Sequence, residues 1–285
     1  MNYRHAFHAG NFADVVKHAI LVRILVHLRA KPAPFRVIDT HAGAGLYDLA
    51  GPEASRGGEW RDGIARLSGT FAAGQAKTLL APYLAAVAAL NRQDDLQDHL
   101  IAYPGSPMLV RAFLRERDRL VACELEQRAA DALAANLGGD RRCKAIAIDG
   151  WTALHAYIPP KERRGLVLID PSFEDAADFR RLEHALVAAH RKWATGIYLL
   201  WYPIKDRRCA DTLAHGLRHS GIAKTLRAEI SLAMARDRLR ACGLIIVNPP
   251  WRLESELKVL LPALVDALTQ GNGGGHRVEW LIGEN

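Results

Sequence analysis

The sequence predicts an α/β fold, a doubly wound sheet with helices on both faces, and three observations carry that prediction. Short apolar runs ending in acidic residues recur along the chain. Between them lie stretches of helical periodicity joined by brief connections, the rhythm of repeated β–α units. The first run, Val37-Ile-Asp39, passes at once into Thr40-His-Ala-Gly-Ala-Gly45. A buried parallel strand hands over in this way to a turn against which a ligand can lie. Gly43 and Gly45 lack a Cβ and can take positive φ, so ligand atoms can approach the main chain. The turn is only part of a Gly-x-Gly-x-x-Gly fingerprint, because Asp48 stands where the third glycine would be. A plain strand-to-helix turn would read the same.

Ahead of that strand, Asn11 reads as a helix N-cap with Asp14 in the first turn. Val15, Ala19, Val22 and Val26 then recur at helical spacing to about Leu28. Lys17 and His18 lie off this stripe, on what periodicity alone reads as a solvated face. Pro32 and Pro34 stop the helix. From Gly45 to about Pro104 the β–α rhythm is absent: Leu79–Leu90 reads as a helix and no strand is evident. The chain therefore divides into residues 1–45, holding the first helix and strand, a helical insertion at 46–104, and the rest of the sheet domain at 105–285.

The rhythm resumes with strands at Leu120–Cys123, Ala145–Ile148, Gly165–Ile169, Gly196–Trp201, Ala223–Leu232 and Gly243–Val247. A last one is expected at His276–Ile282. Helices are expected over Leu125–Leu137, Arg180–Trp193 and Leu253–Leu268. The chain has 285 residues, is 49% hydrophobic and 24% charged, and is therefore expected to be globular. Its formal charge of +7 suits a polyanionic partner. The four cysteines form no Cys-x-x-Cys pair, which argues against a disulfide framework or a zinc knuckle; no metal is expected. The start lacks the apolar core of a signal peptide and no apolar stretch is long enough to span a bilayer, so the cytoplasm is the expected location.

In doubly wound sheets the ligand lies at the carboxyl edge of the strands. Four strand ends there carry informative groups: His41–Gly45, Glu124, Asp149-Gly150 and Asp170-Pro-Ser-Phe173. Glu124 can accept from both hydroxyls of a ribose, and Asp149 from an adenine amino group. Asp170-Pro-Ser-Phe173 resembles the Asp-Pro-Pro-Tyr signature of adenine amino-group methyltransferases. An exocyclic amine conjugated to a purine is a poor nucleophile. The Asp170 carboxylate and the Pro171 carbonyl can hold both its N–H bonds and aim its lone pair at a methyl donor. Phe173 is then expected to stack on the flipped base.

The resemblance extends along the chain. Tyr3-Arg-His-Ala-Phe-His-Ala-Gly-Asn11, Asp14, Lys17-His18, Asp39–Gly45, Tyr103-Pro-Gly-Ser-Pro107, the 170–173 turn, Trp201-Tyr-Pro203 and Asn248-Pro-Pro-Trp251 together resemble one bacterial family. It is the 23S rRNA adenine-N6 methyltransferases of the RlmJ type, and the match keeps their order from end to end. The resemblance implies a Rossmann-like class I S-adenosylmethionine-dependent methyltransferase sheet with a small helical insertion. It implies a target at adenine 2030 and an RNA substrate free of ribosomal proteins; a monomer is expected. Carried over by position, Lys17, His18, His41, Gly43, Ser106, Glu124, Asp149, Gly150 and Asp170 would contact S-adenosylmethionine. Asp170, Pro171 and Phe173 would be catalytic, and Tyr3 would touch the RNA. Ser172 departs from the usual proline, which relaxes the turn but leaves both acceptors in place.

A DNA adenine methyltransferase is the alternative, although no target-recognition domain is evident. A dinucleotide-dependent oxidoreductase would want the missing third glycine. A non-enzymatic RNA-binding protein would not need the strand-end acids. Arg236, Arg238 and Arg240, between the last two long strands, are expected to meet RNA phosphates. Asn248-Pro-Pro-Trp251 matches the catalytic pattern better by letter than residues 170–173 do. It ends a strand expected to run antiparallel near one edge, and so points away from the site. Its prolines and tryptophan are expected to stop the strand and pack the last helix.

Overall fold

Asn11 caps the first helix as expected: its side chain accepts from the Asp14 N–H at 3.0 Å. The helix, α1 (Phe12–Arg29), has 14 of its 18 residues buried, so no face of it is solvated. It is buried because it lies under the sheet with other helices packed around it, and this also encloses Lys17 and His18. The computed structural model describes residues 4–67, 74–91, 100–175, 177–234 and 238–283.

After α1 comes β1 (Arg36–Asp39) and then the segment read as strandless. That segment in fact holds β2 (Leu46–Asp48) and β3 (Ala102–Pro104), paired antiparallel with Tyr47 opposite Tyr103. Three-residue strands are too short to show a period of two, which is why the sequence hid them. Between them lie α2 (Pro52–Gly57), two single turns of 3₁₀ helix and α3 (Gln75–Ala89). Another short helix that the sequence did not disclose, α4 (Ser106–Phe113), follows at once.

The remaining elements alternate: β4 (Arg119–Glu124), α5 (Gln127–Leu137), β5 (Cys143–Ala147), α6 (Gly150–Ala156), β6 (Gly165–Ile169), α7 (Ala177–Lys192), β7 (Ile197–Pro203) and α8 (Arg207–His219). The chain closes with β8 (Thr225–Leu232), β9 (Ala241–Val247), α9 (Leu253–Leu268) and β10 (Gly274–Ile282). One eight-stranded sheet results, in the order β10-β8-β9-β7-β6-β1-β4-β5. Strands β5, β4, β1, β6 and β7 are parallel, whereas β9 runs antiparallel to both β7 and β8. The antiparallel β9 is third from its edge rather than near it, because β10 adds a further strand outside β8.

Strand β1 lies between β4 and β6, with Asp39 level with Ala122 and Leu168. From β1 the chain winds one way through β4 and β5, and the other way through β6 and β7. The crevice beyond β1 and β6 is therefore the topological switch point, where a ligand meets the sheet. Strand β6 is buried along its whole length, as a strand covered by helices on both faces must be.

Candidate active site

Each informative loop leaves its strand at this crevice. The glycine turn follows β1, and Gly43 and Gly45 take φ of +60° and +81°. A Cβ on Gly43 would lie 2.2 Å from the Tyr47 hydroxyl, so the turn tolerates only glycine there. The Gly43 N–H donates to Glu124 Oε2 at 2.8 Å, while Leu125 and Glu126 donate to Oε1 at 2.8 and 2.9 Å. Glu124 thereby fixes the end of β4 against the glycine turn. Oε1 already accepts twice, whereas Oε2 accepts once and keeps a second lone pair for a ligand hydroxyl.

Asp149 caps α6, its Oδ2 accepting from the Thr152 N–H and hydroxyl at 2.9 and 3.0 Å. Gly150 is buried, and a Cβ on it would come within 2.2 Å of the Thr40 carbonyl and 2.7 Å of the His41 ring. His41 also meets the edge of Trp151, ring centres 5.2 Å apart. The Thr40 hydroxyl donates to the Leu168 carbonyl, so the 2.8 Å bond from His41 Nδ1 to that hydroxyl is donated by the imidazole. Nε2 is then the free acceptor. Burial pushes the His41 imidazole down to about 4, which keeps it neutral near pH 7.

On the other side of β1, Ser106 at the start of α4 donates to Asp39 Oδ2 at 2.6 Å. Asp39 is fully buried and its Oδ1 has no hydrogen-bond partner among the described residues. Burial pushes this carboxyl up to about 7. Lys17 reaches over from α1, its Nζ 2.8 Å from Asp14 and 2.5 Å from Asp170. Burial opposes the lysine's charge, but the two carboxylates outweigh it and raise its pKa well above the usual range. Asp14 also accepts from the Gly10 N–H and from His5, both at 2.9 Å. The ring of His5 lies 5.0 Å from that of Tyr47, so the N-terminal segment runs over the glycine turn.

His18 is interior to this cluster. Its Nδ1 is 2.7 Å from the Tyr103 hydroxyl, which is 2.9 Å from that of Tyr83 on α3. Burial drives its pKa down to about 3, and Nε2 has no hydrogen bond. At the end of β6, Asp170 is followed by buried Pro171 and by Phe173, whose φ is +50°. The Phe173 ring is turned inward, 4.8 Å from Phe179 and 5.8 Å from Trp201. In this conformation it is a core group, and stacking on a base requires the turn to swing it out.

Arg238 forms an ion pair with Asp62 at 3.0 Å, which ties the loop after β8 to the 46–104 segment. Arg240 is exposed. Tyr3 and Arg236 lie outside the described residues. The sequence reading missed Asp39 and Asp14 as site residues. The signal for Asp39 was an acid closing an otherwise apolar strand; for Asp14 it was masked by an ordinary role in a helix's first turn. Asn248 is at the opposite edge, its amide donating to the Ala194 and Gly196 carbonyls at 2.8 Å each. The expected packing role of Trp251 is not met: the turn throws its side chain outward and it is 76% exposed.

The buried, unpartnered Asp39 oxygen and the glycines at 43 and 150, packed against Tyr47 and His41, bring main chain close together at the switch-point crevice. Fold and site together define a class I S-adenosylmethionine-dependent methyltransferase. Residues 32–282 match the family model described as ribosomal RNA large subunit methyltransferase D, RlmJ. The ribosomal RNA large subunit methyltransferase J of Escherichia coli K12 is 38% identical over the full length of both chains, and that of Haemophilus influenzae 36%. The crystal structure of protein LPL1258 from Legionella pneumophila has 32% sequence identity and a TM-score of 0.86, covering 96% of this chain and 98% of that one. The chain belongs to the RlmJ family of rRNA methyltransferases.

Proposed function

We propose that this chain transfers a methyl group from S-adenosylmethionine to N6 of one adenine of 23S rRNA, adenine 2030 by family resemblance. The observation that carries the reading is the Asp170-Pro-Ser-Phe turn at the end of β6, set beside the glycine turn of β1 in the switch-point crevice. When bound, S-adenosylmethionine supplies an electrophilic methyl group on a sulfonium. Glu124 would hold its ribose, Asp149 and the Gly150 backbone its adenine, and Asp39, Ser106, Lys17 and His41 its amino-acid end. His18, bonded to the Tyr103 hydroxyl, would act from behind by packing beneath Lys17 and Asp14. The Asp170 carboxylate and the Pro171 carbonyl would accept the two N–H bonds of the target amine, and the proton would leave to Asp170 or water. Lys17 would orient Asp170 through their 2.5 Å ion pair, leaving the other carboxylate oxygen to the substrate amine.

Residues 46–104 would form a separate subdomain flanking the RNA entrance, joined by the tail carrying Tyr3 and by the loop carrying Arg236, Arg238 and Arg240. A cytoplasmic monomer acting on RNA free of ribosomal proteins fits the basic charge. Among the described residues no helix is long and apolar enough to cross a membrane, and no His, Cys, Asp and Glu cluster is arranged to hold a metal. The test is to incubate the protein with labelled S-adenosylmethionine and either 23S transcript, intact large subunits or genomic DNA, then map the modified base. N6-methyladenine in the free transcript is expected. Label in DNA alone would overturn the reading.

A further inference from the structure

The strand-to-helix and helix-to-strand connections, at the two edges of the sheet, carry opposite charge. The strand-to-helix connections beside the active site, residues 124–126, 148–149, 170–176 and 204–206, contain seven acids and one lysine. The helix-to-strand connections at the far edge are residues 29–36, 115–119, 138–142, 158–164, 191–196 and 218–224. They contain 15 arginines and lysines against four acids. Three of those four acids are already engaged: Asp118 by Arg115 at 2.8 Å, Asp140 by Arg142 at 2.7 Å and Glu162 by Arg36 at 2.9 Å. Arg117, Arg141, Lys161, Arg163, Arg191 and Lys192 remain on the surface of that edge.

The turn after β9 opens onto the same edge, because β9 runs antiparallel. Asn248 locks it there, donating its N–H to Lys224 and its amide to residues 194 and 196. Held on this backing is Trp251, with the Arg252 guanidinium 4.4 Å over one face of its ring. An exposed indole beside a cation, on a surface rich in arginine, is the arrangement that takes a nucleic acid base and its neighbouring phosphates. The acids of the strand-to-helix connections oppose phosphates. Arg238 and Arg240, in the loop after β8, stand at one end of the active edge with Arg238 paired to Asp62, so cations at the far edge add attraction that a polyanion held there can use. The far edge is about 20 Å away, from strands of five to seven residues, a span that a folded RNA can cover.

We propose that the far edge is a second contact surface for the same RNA: its cations take phosphates of a stem flanking the target, and Trp251 takes one unpaired base. This rests on the reading that the chain methylates rRNA. Arg117→Gln, Arg141→Gln, Arg163→Gln and Arg191→Gln, combined in one variant, remove four exposed cations with no ion-pair partner among the described residues. Binding of a 23S transcript is measured against salt concentration, with methylation kinetics and S-adenosylmethionine calorimetry alongside. The slope of log affinity on log salt is expected to fall by about 3. KM for RNA should rise while kcat, cofactor affinity and melting temperature stay as in wild type. Trp251→Ala should weaken RNA binding about ten-fold and Trp251→Phe should restore most of it. Wild-type methylation of the transcript with an unchanged slope in the fourfold variant overturns this surface alone, and leaves the edge to an acidic protein. Failure of the wild type to methylate the transcript overturns the functional reading, and this surface with it.

Discussion

Replacing Asp39 by asparagine tests the electrostatics of the site most directly. The carboxyl is fully buried, has one hydrogen bond from Ser106 at 2.6 Å, and leaves its second oxygen unpartnered. Burial lifts it from an ordinary 3.8 to about 7, so between those values the folded chain holds a proton that the unfolded chain has lost. Stability from this group is complete below about pH 4, falls as pH rises, and is gone above about pH 7. The full gap is worth about 4 kcal/mol and the interval from pH 5 to pH 8 about 2.5 kcal/mol. Urea denaturation of wild type and Asp39→Asn at several pH values isolates the effect, because the histidines contribute equally to both. The difference in unfolding free energy between the two proteins should move by about 2.5 kcal/mol in favour of the asparagine variant on going from pH 5 to pH 8. Parallel curves would show that Asp39 is ionised throughout, and would refute the reasoning.

Asp170→Ala should abolish methyl transfer while calorimetry still detects cofactor binding; near-normal turnover would remove Asp170 from the chemistry. Asn248→Ala should leave turnover within about twofold but cost about 2 kcal/mol in denaturant unfolding. It forfeits two hydrogen bonds of 2.8 Å and places alanine at φ +51°. Glu124→Ala should weaken S-adenosylmethionine binding at least ten-fold, since it removes a charged acceptor and releases the Gly43 turn; unchanged affinity would displace it from the cofactor site. Arg240→Gln should lower the salt slope of RNA binding by about 0.7 to 0.9. Arg238→Gln should lower it less, because that side chain is already spent on Asp62.

The parallel half of the sheet was legible because its strands are buried on both faces and end in acids, and helices long enough to show a 3.6-residue period were found within a few residues. Short elements were not: β2, β3, α4 and α6 span at most eight residues each, too few for periodicity to separate from chance. His41, Glu124 and Asp149, proposed for the cofactor, stood out in the sequence because each ends or follows a strand. Lys17 and Asp14 were harder to place, since they act from a helix and their meaning depends on which partner crosses to them. Only the fold brings Asp170, 153 positions away, onto Lys17. Exposure was least legible of all. The periodicity of α1 gave Lys17 to solvent and the folded chain buries it, whereas a tryptophan expected in the core is on the surface.

The exposed tryptophan has its origin in the direction of a strand. Asp170-Pro-Ser-Phe and Asn248-Pro-Pro-Trp are nearly the same peptide, and each terminates a buried strand. Each also places one residue in the left-handed region, Phe173 at φ +50° and Asn248 at φ +51°. Strand β6 is parallel to β1 and delivers its aspartate to the crevice, where Lys17 meets it at 2.5 Å. Strand β9 is antiparallel to β7 and delivers its asparagine to the far edge, where main-chain carbonyls meet it. A carboxylate at 248 would face those carbonyls with no proton to give, which is why an amide belongs there. At 170 the neighbour is an ammonium group, and a carboxylate is the side chain that satisfies it while keeping lone pairs for a substrate amine. The partner supplied by the sheet thus calls for a carboxylate at one turn and an amide at the other, a difference that the motif's letters alone do not reveal.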